Sequence, residues 1–341
     1  MSLILAVLLL CGCASEKGCC AECGCSDCVG ETETTETTEA YREDTTAPVI
    51  QETQTEETEP AMPETTAGYT ICAVNVRKAP SVDGERYTVF DPHTDVEILG
   101  YQDGWCRILL EGEEYYISSL YIREKITQDN GYLIVIDPGH QRYGNSAQEP
   151  IGPGASTTKN KVTGGTVGRT TGLAEYELNL MVAMKLQVEL ENRGYTVIMT
   201  RTSHDVDISN AERAAIANEV GADAFIRIHA NGSDNRSVHG AMTICQTPSN
   251  PYNGELYEVS KLLSECILDA FVAATDCRKQ YVWETDTMSG INWCQVPTTI
   301  LEMGYMTNPE EDTLLASEAY QYRMVQGIAN GLDQFLNSDT E

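Results

Sequence analysis

Positive charge is what this chain has least of. Over 341 residues there are 22 Lys and Arg against 52 Asp and Glu, a formal net charge of -30. Binding to nucleic acid requires clustered cations that displace the counterions of phosphates. No such cluster occurs, so the composition argues strongly against a nucleic-acid partner. Also missing is any apolar run of the roughly 20 residues needed to cross a bilayer as a helix; Leu3-Ile-Leu-Ala-Val-Leu-Leu-Leu10 is too short to span. From Glu31 to Ala67 aromatics are almost absent while Thr, Glu and Pro abound. Such a composition cannot bury enough apolar surface to fold, and it reads as a charged, disordered linker.

What is present ahead of that linker has its own logic. The apolar segment is followed by Leu10-Cys-Gly-Cys13, which resembles a bacterial lipoprotein cleavage box, with Cys13 as the lipidated residue of a membrane anchor. Residues 1–13 are therefore read as a lipoprotein-type signal segment, although the basic n-region usual in such segments is missing. Residues 14–67 are read as a Cys-rich stretch and then the linker, whose reach would be roughly 30–40 Å if it behaves as a flexible coil. Cys20-x-x-Cys23 and Cys25-x-x-Cys28 look like metal knuckles, but the single residue between the pairs is far short of a zinc-ribbon loop, which favours a thiol-rich or disulfide spacer. Cys72, Cys106, Cys245, Cys266, Cys277 and Cys294 are scattered in apolar company and read as small buried hydrophobes, with room for a disulfide or two.

Residues 68–125 form short β-rich runs separated by turns. Val74-Asn-Val-Arg77, Gly104-Trp105 and Tyr116-Ile-Ser-Ser-Leu120 resemble bacterial SH3-like domains, which implies a small all-β barrel that targets the wall, or else serves as a spacer or docking module.

From residue 130 to 337 the pattern changes. Strands are expected at 132–137, 196–200, 224–229, 241–246 and 298–302, and helices at 175–193, 209–220, 255–274 and 318–336. This alternation predicts an α/β unit with a mainly parallel sheet and helices on both faces. Tyr132-Leu-Ile-Val-Ile-Asp-Pro-Gly-His140 and Ala224-Phe-Ile-Arg-Ile-His229 are apolar runs that each end on a histidine, and Pro297-Thr-Thr-Ile-Leu-Glu302 ends on a glutamate. Ligands in open α/β sheets sit beyond the carboxyl ends of the strands, so these three ends should converge. Leu178, Met181, Val182, Leu186 and Leu190 recur at helical spacing, which puts Glu175 in a first helical turn on the same side. Two histidines and a carboxylate suit a hydrolytic Zn2+ site that leaves a position for water. That assigns His140, Glu175 and His229 as metal ligands and leaves Glu302 free as general base.

Asp137-Pro-Gly-His140, Gly172-Leu-Ala-Glu175-Tyr-Glu-Leu-Asn-Leu180, Thr200-Arg201, Asn210-Ala-Glu-Arg213, Ile228-His229-Ala-Asn231 and Leu301-Glu302-Met-Gly304-Tyr-Met-Thr-Asn308 occur in this order. Together they resemble the zinc-dependent N-acetylmuramoyl-L-alanine amidases of bacterial cell walls. The resemblance implies hydrolysis of the amide between the lactyl group of N-acetylmuramic acid and L-alanine in peptidoglycan, outside the cytoplasm. It carries the ligand role to His140, Glu175 and His229 and the catalytic role to Glu302. Two positions depart from the family. Gln141-Arg142 replaces the usual glycines and opens a long Gly/Ser/Thr-rich stretch to Gly172, read as a lid or a mobile loop, and Arg227 stands where a small residue is common. His93, His204 and His239 are read as structural or solvated, Arg201 and Arg213 as anchors of backbone or carboxylates, and Trp293 as packing. A zinc peptidase acting on stem peptides and a non-catalytic wall-binding protein are the alternatives, and restraint by the 141–172 stretch or by the SH3-like unit is left open.

Overall fold

The computed structural model describes residues 64–125 and 129–338. The signal segment, the N-terminal cysteines and most of the linker lie outside the described residues.

Residues 64–125 carry β1 (Thr66–Thr70), β2 (Val74–Arg77), β3 (Arg86–Phe90), β4 (Asp95–Gln102), β5 (Trp105–Leu110), β6 (Glu113–Ser118) and β7 (Ile122–Glu124). They join antiparallel into a seven-stranded sheet of order β3-β2-β6-β5-β4-β1-β7. Alternation along β4, β5 and β6 turns Val96, Ile98, Cys106, Ile108 and Ile117 inward onto Val76 and Ile122, which form the core of this unit.

The second unit runs β8 (Leu133–Pro138), β9 (Asn145–Pro150), β10 (Thr158–Val162), α1 (Glu175–Asn192), β11 (Thr196–Met199), α2 (Asn210–Val220), β12 (Ala224–Asn231), β13 (Ala241–Cys245), α3 (Tyr257–Thr275), β14 (Lys279–Glu284), α4 (Ser289–Asn292), β15 (Thr298–Tyr305), α5 (Pro309–Leu315) and α6 (Glu318–Asn337). A six-stranded sheet of order β11-β8-β12-β15-β13-β14 forms its centre. Every neighbouring pair is parallel except β13 with β15. Central strands buried on both faces read as continuous apolar runs, as β8 and β12 do. Ile134, Ile136, Ile226 and Ile228 pack against α1, α3 and α6 on one face. Val135 and Phe225 meet Ala214 and Ala217 of α2 on the other. The expected helices on both faces are therefore present.

The stretch after His140 is not a structureless loop. β9 and β10 pair as an antiparallel hairpin. It is tied down along its length: Lys159 Nζ donates to the Thr287 carbonyl (2.7 Å), Trp293 Nε1 to the Pro150 carbonyl (2.9 Å), Asn210 Nδ2 to the Lys161 carbonyl (2.8 Å) and Asn145 Nδ2 to Asp207 Oδ1 (2.9 Å).

The two units touch through the C-terminal half of α1 and the start of α6. Arg123 pairs with Glu191 (2.7 Å), the Glu124 amide donates to Asn192 Oδ1 (3.1 Å), and Ser119 Oγ donates to Tyr322 Oη (2.9 Å). Gly104 lies flat on the Tyr322 ring, where a Cβ would come within 2.0 Å of it. Along α1, Glu191 lies 16 residues from Glu175, a rise of about 24 Å at 1.5 Å per residue. The β unit thus docks far from the first turn of α1. Described cysteines are all free thiols, so the disulfides allowed for at Cys72, Cys106, Cys245, Cys266, Cys277 and Cys294 do not form.

Candidate metal centre and active site

β8 ends at Asp137-Pro138, and the chain turns sharply through Gly139 to His140, which takes a left-handed φ of 60°. Gly139 must be a glycine because its Cβ would fall 2.2 Å from the His229 ring. That close approach brings the ends of β8 and β12 together; the His140 and His229 rings meet edge to face at 4.8 Å. Glu175, in the first turn of α1 and only 4% exposed, reaches up between them. Its Oε1 lies 3.0 Å from His140 Nε2 and 3.2 Å from His229 Nδ1. One ligand atom from each of the three residues falls within 4.8 Å of the others.

Hydrogen bonds fix which atoms face the centre. His140 Nδ1 lies 2.9 Å from the Thr163 carbonyl oxygen, which can only accept. The proton is therefore assigned to Nδ1, and the Nε2 lone pair faces a carboxylate oxygen. Glu175 is held by the amides of Thr166 (2.8 Å) and Ala230 (3.2 Å). His229 Nε2 is buried without a hydrogen-bond partner. Lone pairs and a carboxylate converging on one point repel unless a cation or a proton lies among them. The donor set of two imidazoles and one carboxylate fits a divalent metal of the zinc type.

Without a metal, burial disfavours charge on His140, but the hydrogen bond and charge of Glu175 outweigh it and raise its pKa. Burial pulls His229 down to about 4 despite the same carboxylate. Glu175 itself is held well below the usual range: burial alone would raise it, and the two imidazoles overcome that.

Glu302 sits beside this group because β12 and β15 pair His229 with Glu302. Its Oε2 is buried and bonded to nothing. Burial, and then the charge of Glu175, push its pKa up, with Arg227 pulling only partly against them. A carboxyl with a raised pKa and an unbonded oxygen, on a residue that lines the cleft, is suited to taking and returning protons. The cleft has a volume of about 510 Å³; His140, His229 and Glu302 lie in it, and Gln148, Lys159 and Asn160 of the hairpin form one wall. The stretch expected to be a lid or a mobile loop is an ordered cleft wall.

Behind the cleft lies a buried ionic knot. Asp137, fully buried, receives Arg213 Nη1 at 2.6 Å, Arg227 Nε at 2.9 Å and Thr200 Oγ1 at 2.6 Å. Burial would raise the Asp137 pKa, but the two guanidinium groups hold it far below the usual carboxylate range. Arg213 also donates to the carbonyls of Pro138 (3.0 Å) and His140 (3.0 Å), and Arg201 to those of Pro138 (2.8 Å), Gly139 (3.1 Å) and Tyr176 (2.8 Å). Both arginines anchor the turn that presents His140, as expected. Arg227, noted in the sequence only as a departure, ties β12 to β8 through Asp137 and to α2 through Asn210 (2.8 Å). Sequence reasoning missed Asp312, which accepts the amides of Thr170 (2.6 Å) and Thr171 (2.9 Å) and pins the loop that leads into Glu175. It also missed Asn179, which donates to the Gly139 carbonyl at 3.2 Å. An acid and an arginine, each inside a buried strand, were the available signal for the Asp137–Arg227 pair.

The other histidines stand apart. His204 packs edge-on against Tyr176 at 5.2 Å, His239 bonds the Ser237 carbonyl at 3.0 Å, and His93 stacks on Tyr69 at 6.2 Å. Trp293 packs beside Cys294 and Val296.

The family model for N-acetylmuramoyl-L-alanine amidase matches residues 134–334, more than half of the chain. The chain belongs to that family. A bacterial SH3 domain matches residues 73–123, ahead of the amidase unit. The family places the catalytic unit among the amide hydrolases of peptidoglycan. YqiI, an uncharacterized protein of Bacillus subtilis strain 168, is 33% identical over 173 residues, which cover 51% of this amidase and 79% of YqiI. The N-acetylmuramoyl-L-alanine amidase LytC of the same organism is 26% identical over 269 residues; the match takes in 79% of this chain and about half (47%) of LytC. The crystal structure of the N-acetylmuramyl-L-alanine amidase Ami1 from Mycobacterium smegmatis shares the fold, with a TM-score of 0.55 at 24% identity, covering 61% of this chain and 98% of that one.

Proposed function

We propose that this amidase cuts the bond between the lactyl carbonyl of N-acetylmuramic acid and the nitrogen of L-alanine, at a zinc ion held by His140, Glu175 and His229, with Glu302 as the acid and base. The observation that supports this most is the convergence of three ligand atoms within 4.8 Å beside a buried, unbonded carboxyl oxygen of Glu302. Zinc in such a site supplies Lewis acidity and lowers the pKa of a water to about 7. Glu302 takes a proton from the attacking water as its oxygen bonds to the lactyl carbon. The same carboxyl then returns a proton to the L-alanine nitrogen as the C–N bond breaks, leaving a free lactyl carboxylate and a free amine. A raised pKa suits a group that must keep the proton between these two transfers. Asp137, Arg201, Arg213 and Asn179 do not enter this chemistry; they keep the β8 turn and α1 in register.

The test is digestion of purified peptidoglycan by the protein, with chelator and with zinc restored, followed by mass spectrometry of the released ends. Zinc-restored release of stem peptides beginning with L-alanine supports the reading. New ends inside the stem peptide would make the protein a peptidase, and binding without release would make it a wall-binding protein.

The proposed setting is extracytoplasmic, on the cell surface, with a lipid anchor at Cys13. No described helix is long and apolar enough to cross a membrane. Cys13→Ala should move the protein from the membrane fraction to the soluble fraction; an unchanged distribution would remove the anchor.

A further inference from the structure

β14 is the exposed edge of the six-stranded sheet, and its residues alternate between the two faces. Val282 turns toward the core, and Glu284 bonds Tyr257 and Lys261 of α3 on that side. Tyr281 and Trp283 point the other way and are 58% and 41% exposed. Residues paired across adjacent strands point to the same face of a sheet. His229 pairs with Glu302, Ile300 with Ile244, and Ile244 with Trp283. Tyr281 and Trp283 therefore stand on the face that carries His229, Glu302 and the cleft, two strands beyond β15. Two strand spacings place them about 10 Å to the side of the Glu302 strand, and about 7 Å separates the two along β14.

We infer that Tyr281 and Trp283 form a saccharide platform that stacks against sugar rings of the glycan strand flanking the muramoyl residue held in the cleft. The inference rests on the proposed peptidoglycan substrate. Three observations select the occupant. Ile244 of β13 lines the cleft and pairs with Trp283, so the platform adjoins the cleft on one sheet face and a chain anchored by its scissile amide beside Glu302 has its next units within reach of β14. Two cations on and under β14 are paired: Lys279 with Asp269, and Lys261 of α3 with Glu284. The one cation of β14, Lys279, is thus neutralised, so the strand offers little to the carboxylates of a stem peptide and suits a neutral saccharide. Tyr and Trp also combine an apolar face with a polar tip, which fits the apolar face and hydroxyl rim of a pyranose.

The test compares the full chain with Tyr281→Ala/Trp283→Ala on two substrates: glycan strands of several disaccharides bearing stem peptides, and a single N-acetylmuramoyl peptide. Separately, calorimetry reads the binding of an N-acetylglucosamine tetramer, which needs no hydrolysis. KM on the long strands should rise on the order of tenfold with kcat kept, since two aromatic contacts are lost. KM on the single muramoyl peptide should change less than about twofold, and tetramer affinity should fall in step with the long-strand effect. Tyr281→Phe/Trp283→Tyr should restore most of the loss, and also serves if the alanine pair is unstable. Equal KM changes on both substrates, or no change on either, would overturn the platform, as would a variant whose only effect is to split a dimer. If neither substrate is cut by the parent protein, the hydrolysis reading fails by itself, and the tetramer titration still decides the platform.

Discussion

Replacing Asp137 with asparagine should unfold the amidase unit far more readily while leaving its shape nearly intact. Asp137 is completely buried, and its partners Arg213 and Arg227 are 1% and 3% exposed. In the variant, the amide oxygen can still accept from Arg213 and Thr200, but its NH2 would face Arg227 Nε, donor against donor. Two buried guanidinium groups would then share no negative charge. Breaking a buried pair by removing one partner costs about 3–5 kcal/mol, and losing one or two charge-assisted hydrogen bonds at about 1.5–3 kcal/mol each gives a similar figure. Set against a domain stability of about 5–15 kcal/mol, that is a large fraction. With an m-value near 2 kcal/mol per molar urea, the midpoint should fall by about 2 M. Fluorescence of Trp283 and Trp293 would follow this unit, while Trp105 reports the SH3 domain. The pH dependence supplies a second check. Because the folded-state pKa of Asp137 is lowered, its contribution is complete above the unfolded value of about 3.9 and is lost as pH falls toward the folded one. The difference between parent and variant should therefore be flat from pH 5 upward and shrink only in stronger acid. A loss below about 1 kcal/mol, or a difference that fades between pH 8 and pH 6, would refute the assignment of the knot as a buried, charge-balanced anchor.

Two further substitutions separate the metal site from the chemistry. Glu302→Ala should keep zinc, measured by metal analysis after dialysis, and lose at least about 100-fold in rate, the low end for a missing general base; near-normal turnover would remove Glu302 from the mechanism. His229→Ala should strip zinc or weaken its binding severely, and unchanged stoichiometry would dismantle the ligand set.

Much of this arrangement was legible in the sequence because buried strands and amphipathic helices leave strong periodic marks. The runs ending at His140, His229 and Glu302 lie on β8, β12 and β15, and Glu175 opens α1. What was not legible has physical reasons. β9 and β10 are polar, mostly exposed strands with no apolar alternation, so the hairpin left only a turn-rich composition to read. The six residues of β14 were not legible either: one short edge strand alternates over too few residues to carry a signal. The reversed direction of β13 against β15 depends on which edge the chain returns to, which periodicity does not record. Arg227 looked like an intruder in an apolar strand because its partner, Asp137, lies 90 residues away in the chain.

The docking of the SH3 domain has a consequence for how this enzyme meets a wall. One helix carries Glu175 at its first turn and Glu191, the partner of Arg123, at its last. A single helix therefore joins the cleft to the SH3 domain. The SH3 domain, held at the far end of that helix, is no cap for the cleft. Whatever it grips is set at a fixed stand-off from the bond being cut. The protein is built like a caliper: whatever the SH3 domain engages is held away from the cleft by a distance that the length of α1 imposes.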